Sequence, residues 1–344
     1  MPNPVKIILK SITGLILLAL LSWPQPTAAP AAMDNSAPIP PLSTPDTTLF
    51  FAGDIMLGRH VAEKINAAGN IHLPFEKIRD EILSADIAFA NLESPFSDQP
   101  TVKEDQFVFR AEPEHAPGLQ RAGFDVLSMA NNHILNQRNY GLEYTYRLLE
   151  SLGIAPSGAG LAGASQPLAV IEKNDRLFGF LSYTYDANKN TPGLGNFNDL
   201  VALKNDILAL KGHNADVVIV SMHAGAEYTR KPNAGQIEFA RAAVDAGADL
   251  VIGHHPHWIQ IIEQYREKWI FYSLGNFVFD QAWSQETMEG LAVKINFTEN
   301  VVSRIELIPV IIDDYSTPRW ATAEEKTAIL GKINLTSPIL MDKN

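Results

Sequence analysis

Residues 249–257 read Asp249-Leu250-Val251-Ile252-Gly253-His254-His255-Pro256-His257, and the reading of this stretch decides the fold class. An apolar run of strand character, 249–252, ends in a glycine. Three of the chain's nine histidines follow within four positions. Open α/β sheets bind ligands in the crevice outside the carboxyl ends of their strands. Neutral imidazole is the commonest protein ligand for transition metals. Pro256 fixes its own backbone angle and restricts the residue before it, so His255 and His257 leave one stiff turn. The question this raises is whether other strands end in further ligands.

They do. Strand candidates at 48–52, 86–90, 125–130 and 216–222 run into Gly53-Asp54, Asn91-Leu92-Glu93, Asn131-Asn132-His133 and His223. Helical patterns lie between and around them at 61–68, 75–84, 140–152, 200–210 and 236–246. Strands alternating with helices imply parallel pairing with helices on the sheet faces. Runs at 168–173, 177–184, 258–265, 269–272, 291–297 and 301–312 follow one another with few helices between, which predicts antiparallel strands. The expected fold is α/β, with two mixed sheets and helices outside. A lone Asp after a strand reads as a turn former or helix cap. Five successive strands ending in metal-type ligands predict one shared site.

The chain has 344 residues, within the range of a single large α/β domain. Lys6 and Lys10 precede an apolar run at 12–23 and then Thr27-Ala28-Ala29-Pro30-Ala31-Ala32. A basic start, a short apolar stretch and small residues predict a secretory signal peptide over 1–31. The alternative is an uncleaved N-terminal membrane anchor. Residues 32–47, rich in Pro and Ser, read as a flexible tether, and 48–344 as one domain. The expected location is outside the cytoplasm: periplasmic, in the cell envelope or extracellular. Cysteine is absent, which excludes disulfides and thiolate metal sites. The net charge is −12, and no basic face is visible, so nucleic acid is not an expected partner.

Asp54, Glu93, Asn132, His223, His255 and His257 offer a mixed nitrogen and oxygen shell. That donor set suits manganese, zinc or iron. It exceeds the roughly three protein ligands of a single catalytic zinc. Two divalent metal ions sharing a carboxylate would use the whole set.

Six ordered motifs carry a resemblance. They are Phe51-Ala52-Gly53-Asp54-Ile55-Met56-Leu57-Gly58-Arg59, Asn91-Leu92-Glu93-Ser94-Pro95, Ala130-Asn131-Asn132-His133, His223-Ala224-Gly225-Ala226-Glu227-Tyr228, Gly253-His254-His255-Pro256-His257 and Ser273-Leu274-Gly275-Asn276-Phe277. Together they resemble the CapA family of poly-gamma-glutamate capsule biosynthesis proteins, a branch of the calcineurin-like metallophosphatase superfamily. The resemblance spans about 48–314. It implies a four-layer αββα metallophosphatase-like sandwich. It implies that Asp54 and His257 bind a first ion, that Glu93 bridges, and that Asn132, His223 and His255 bind a second. His133 is then a catalytic proton donor to the leaving group, and Arg59 a grip on an anionic group; the alternative for Arg59 is a surface ion pair. Asn91, Glu227 and Asn276 would touch substrate or support the ligands. His254 stands outside this set. The chain departs from the pattern at Met56, where the superfamily has histidine, at Asn136, where an aspartate is usual, and at Ala224, where tryptophan is usual.

The expected function is an exported, binuclear-metal, phosphoesterase-type hydrolase acting in capsule, poly-gamma-glutamate or other envelope polymer biosynthesis. The alternative is a non-catalytic, metal-dependent binding, assembly or export factor for an anionic polymer. Expected partners are an anionic polymer or phosphoester substrate and membrane-bound capsule synthesis or export machinery.

Overall fold

A computed structural model describes residues 46–103, 105–161, 166–186 and 193–333. The expected signal peptide and all but the end of the expected tether lie outside these residues.

β1 (Thr47–Ile55) shows how the layers arise. Successive strand side chains point to opposite faces. Leu49 and Phe51 join one buried cluster, while Phe50 and Ala52 join another. The first sheet continues with β2 (Ile87–Leu92), β3 (Val126–Ser128) and β4 (Ala155–Ser157), all parallel to β1. The second sheet takes up the chain with β5 (Ala169–Lys173), β6 (Arg176–Thr184), β7 (Val217–His223), β8 (Leu250–His254), β9 (Ile262–Tyr265) and β10 (Lys268–Phe271). The chain then returns to the first sheet with β11 (Asn276–Val278), β12 (Glu289–Thr298), β13 (Val301–Asp313) and β14 (Thr317–Trp320). The strand orders are β14-β13-β12-β1-β2-β3-β4, with β11 also on β1, and β5-β6-β7-β8-β10-β9. Both sheets are mixed: β12 runs antiparallel to β1, and β5 and β9 are antiparallel edges on a parallel core.

The helices α1 (Arg59–Ala68), α2 (Arg79–Leu83), α3 (Ala116–Ala122) and α4 (Arg138–Ser151) pack their apolar stripes on the outer face of the first sheet, through Val61, Ile82, Leu119 and Leu149. The helices α5 (Leu200–Gly212) and α6 (Ala234–Ala246) cover the second sheet through Ile207, Leu210, Phe239 and Ala243. The short α7 (Gln285–Met288) precedes β12, and Ile329 of α8 (Ala323–Gly331) joins the cluster between the sheets. The result is the four-layer αββα sandwich that the resemblance implies. Capping fixes where helices begin: Asn233 and Gln236 form a reciprocal box at the start of α6.

Two glycines let the ligand-bearing strands sit close to their neighbours. A Cβ on Gly53 would lie 2.0 Å from the Gly275 carbonyl oxygen, and one on Gly253 would lie 1.9 Å from that of Tyr272. No side chain fits at either place.

Candidate metal centre

Six strand ends or post-strand loops meet at one edge of the sandwich. Asp54 lies in β1, Glu93 directly follows β2, and Asn132 and His133 follow β3. His223 and His254 are the last residues of β7 and β8 and pair in register. β11 runs parallel to β1 with Asn276 opposite Asp54. His255 (φ 96°) and His257 (φ 57°) adopt left-handed backbone conformations. Such angles cost a non-glycine residue about 1–3 kcal/mol each and persist where the surroundings over-determine them. The Pro256 turn therefore aims both rings at some cost in stability.

Hydrogen bonds fix which atoms face the centre. The Asn276 amide nitrogen donates to the Thr287 carbonyl at 2.8 Å, so its Oδ1 is the atom 2.9 Å from His257 Nδ1. That nitrogen donates, and Nε2 of His257 is left to ligate. Nε2 lies 3.7 Å from Glu93 Oε1. The Asn91 amide nitrogen donates to Asp54 Oδ1 at 2.8 Å and lies 3.3 Å from His223 Nδ1. His223 Nε2 is 2.8 Å from Asn132 Oδ1. Asn91 and Asn276 thus orient ligand candidates. His254, set aside in the sequence reading, is fully buried with Nδ1 3.2 Å from Asp54 Oδ1.

Burial and charge divide the titrating groups. Burial pushes Asp54 up, but the imidazoles of His254 and His257 outweigh it and hold the carboxyl low. Burial holds Glu93 well above the usual carboxylate range, against the pull of His257. Burial would lower His257, yet the charges of Glu93 and Asp54 raise it to about 9. Burial, then the charge of His257, lowers His255 to about 3. Burial and the neighbouring His255 hold His223 well below the ordinary imidazole value. His223 and His255 are therefore neutral at pH 7, the form a metal needs.

The donor set fits a cation. Ligand atoms of Asp54, Glu93 and His257 lie within 4.8 Å of one another, as do those of Glu227, His255 and His257. Glu93 has no exposed surface, and among the described residues neither of its oxygens has a hydrogen-bond partner. Burying a carboxyl group without a hydrogen bond is costly. A divalent ion between Glu93 and His257 would satisfy both.

His133 flanks this group, with Nε2 3.7 Å from Glu93 Oε1 and its ring stacked on Phe109 at 3.8 Å. Burial is the main cause that lowers it to about 4. Arg59 is paired. Its Nε donates to Asp280 Oδ2 at 3.1 Å, Nη2 donates to Asp280 Oδ1, and Nη1 donates to the Gln106 carbonyl at 2.7 Å. Its guanidinium lies 4.5 Å from the centre of the Phe109 ring. The geometry makes Arg59 a brace for the Phe109 wall beside His133, through an ion pair with a buried partner. Asp280 was missed in the sequence reading; it ends the run Phe277-Val278-Phe279-Asp280, directly beyond the sixth motif. Glu227, expected to support the ligands, instead places a carboxylate oxygen among the ligand atoms of His255 and His257.

Fold and site together define a four-layer α/β protein with a buried carboxylate–imidazole centre able to hold a metal ion. The profile of the family described as bacterial capsule synthesis protein PGA_cap matches residues 48–281. The chain is 32% identical to a capsule biosynthesis protein CapA of Bacillus anthracis, over 95% of this chain and 80% of that one. It is 34% identical to a PGA biosynthesis protein CapA of Bacillus subtilis (strain 168), over 78% of this chain and 72% of that one. A solved structure of a 5'-nucleotidase precursor from Thermus thermophilus aligns with a TM-score of 0.47 and 12% identity, over 83% of this chain and 58% of that one. The chain belongs to the PGA_cap family of bacterial capsule synthesis proteins.

Proposed function

We propose that this protein is an exported hydrolase of phosphoesterase type that acts, with two divalent metal ions, on a capsule or poly-gamma-glutamate polymer or a phosphoester precursor. The observation that carries the metal reading is Glu93: a fully buried carboxylate, 3.7 Å from an imidazole, neither of whose oxygens has a hydrogen-bond partner among the described residues. When bound, the ions supply Lewis acidity and neutralise charge developing on the substrate. Asp54, Glu93 and His257 would hold one ion, and Asn132, His223 and His255 are the candidates for the other. Asn91 and Asn276 orient Asp54 and His257 by the bonds given above. His133 presents Nε2 to the centre as a group for proton transfer. Export rests on the basic, apolar and small-residue pattern of 1–31.

The test is hydrolysis of a generic phosphoester in added manganese, compared with His255→Ala. Turnover by the wild type alone supports the hydrolase. One observation favours the second reading, a metal-dependent binding or assembly factor for an anionic polymer: His133 Nδ1 lies 2.9 Å from Asn136 Oδ1, so the neutral ring keeps its proton there and Nε2 has none for a leaving group. Stoichiometric metal without turnover of phosphoesters or gamma-glutamyl peptides would select it.

A further inference from the structure

We propose that Glu227 is itself a metal ligand, reaching the centre beside His255 and His257. The inference rests on the metal-bearing reading of the site and adds a ligand to it.

Position 56 supplies no such ligand. Met56 is fully buried in the layer between the first sheet and its helices. Its sulfur accepts the Gly58 N–H at 3.0 Å, so the thioether is already engaged. A soft thioether would also be a poor donor in a nitrogen and oxygen shell.

Glu227 reaches the cluster from the other side. One of its carboxylate oxygens and one nitrogen each of His255 and His257 lie within 4.8 Å of one another. The loop that carries it is tied to the histidine turn. Ala224 N–H donates to the His254 carbonyl at 3.2 Å, and Tyr228 N–H donates to the Pro256 carbonyl at 2.8 Å. The Gln260 amide donates to the Thr229 carbonyl at 3.0 Å. Gly225 (φ 125°) packs against the Gln236 side chain, where a Cβ would lie 2.5 Å from Oε1. Tyr228 takes a left-handed φ of 59°. These bonds bracket Glu227 and hold its backbone against the turn it would serve.

A carboxylate joins imidazoles readily in the nitrogen and oxygen shells of manganese, zinc or iron. Asp54 and Glu93 are buried, whereas Glu227 is exposed. It would close the ion on its solvent side.

The test is equilibrium dialysis of the full chain against manganese, with metal counted by mass spectrometry. Wild type, Glu227→Gln, Glu227→Asp, Tyr228→Phe and His255→Ala are compared, each first shown to melt as wild type does in chelator. Glu227→Gln is expected to lose one ion per chain, or to weaken that ion at least tenfold, as His255→Ala does. Glu227→Asp restores part of the binding. Tyr228→Phe leaves it unchanged, which separates ligation from a bond to the neighbouring phenol. Unchanged number and affinity in Glu227→Gln beside a loss in His255→Ala overturns this assignment alone. No manganese on the wild type overturns the metal centre with it.

Discussion

Asn136 Oδ1 stands 2.9 Å from His133 Nδ1, and this contact fixes which ring nitrogen carries the proton. The same oxygen receives the Phe109 backbone N–H at 2.6 Å, so it is the carbonyl and not the amine of the side chain. His133 Nδ1 must then donate, and Nε2 turns a lone pair toward Glu93. A carboxylate at position 136 would hold the imidazolium form instead. Asn136→Asp is expected to raise His133 from about 4 by about 1–3 units. A nitrogen-detected NMR titration of the ring reads this directly. A His133 titration that does not move removes the assigned role of Asn136.

The Arg59–Asp280 pair joins residues 221 positions apart, and the Asp280 side chain is 2% exposed against 26% for Arg59. Removing the arginine leaves the buried Asp280 carboxylate with the His60 backbone N–H, 3.3 Å from Oδ2, and no neighbouring cation among the described residues to balance it. Arg59→Ala should cost about 2–3 kcal/mol in urea unfolding, less than a fully buried pair because one partner meets solvent. Arg59→Lys should recover only part, since a lysine cannot reproduce the planar fork. Asp280→Asn added to Arg59→Ala should cost little more. A strictly additive double mutant would show that the pair is not coupled.

Metal-free stability should fall steeply in mild acid. His133 and His255 are lowered to about 4 and about 3, and His223 is lowered as well. Below about pH 6.5 the unfolded chain takes up protons that these buried rings refuse. Each ring adds a slope of about 1.4 kcal/mol per pH unit until its own folded value is reached. Glu93, held high by burial, opposes these three rings over part of that range, and His257 also has the opposite sign. Raised to about 9, it contributes stability present below pH 6.5 and lost as the pH climbs through 9. Denaturant curves in chelator from pH 4 to 9 test both limbs. A flat profile between pH 6.5 and 4.5 would contradict the buried, neutral state of the three rings.

Binding of a divalent ion should release protons at neutral pH. His257 holds its proton up to about 9, and ligation needs the neutral ring. Affinity for manganese should therefore rise roughly tenfold per pH unit between pH 6 and 8 for one displaced proton. Calorimetry in two buffers of different ionisation enthalpy counts it. Equal binding heats in the two buffers would mean that no proton leaves.

The strand ends were legible because each joins an apolar run to a glycine, asparagine or histidine motif. Asp54, Glu93, His223, His255 and His257 all meet where the alternation of strands and helices places them. β4, β11 and β14, with three or four residues each, are too short to show a period. The partner of Arg59 was hidden because sequence spacing carries no record of a return crossing from one sheet to the other. His254 stands outside the expected set because the motif match rests on His255-Pro256-His257. Only the packing of the two sheets brings its ring to 3.2 Å from Asp54. Glu227 looked like a supporting residue because a carboxylate four positions after a histidine has many uses. The backbone bonds of its loop to the Pro256 turn, invisible in sequence, are what give it a direction.

The two sheets have separate hydrogen-bond ladders, and apolar contact packs them face to face. Asp54, Glu93 and Asn132 come from the first sheet, and His223, His255 and His257 from the second. An ion held across that seam would act as a rivet between two plates, added to side-chain bonds such as Ser157 Oγ to Ser182 Oγ that already join them. Its removal would leave each plate intact while loosening their alignment, so amide exchange should quicken first along the facing strand ends.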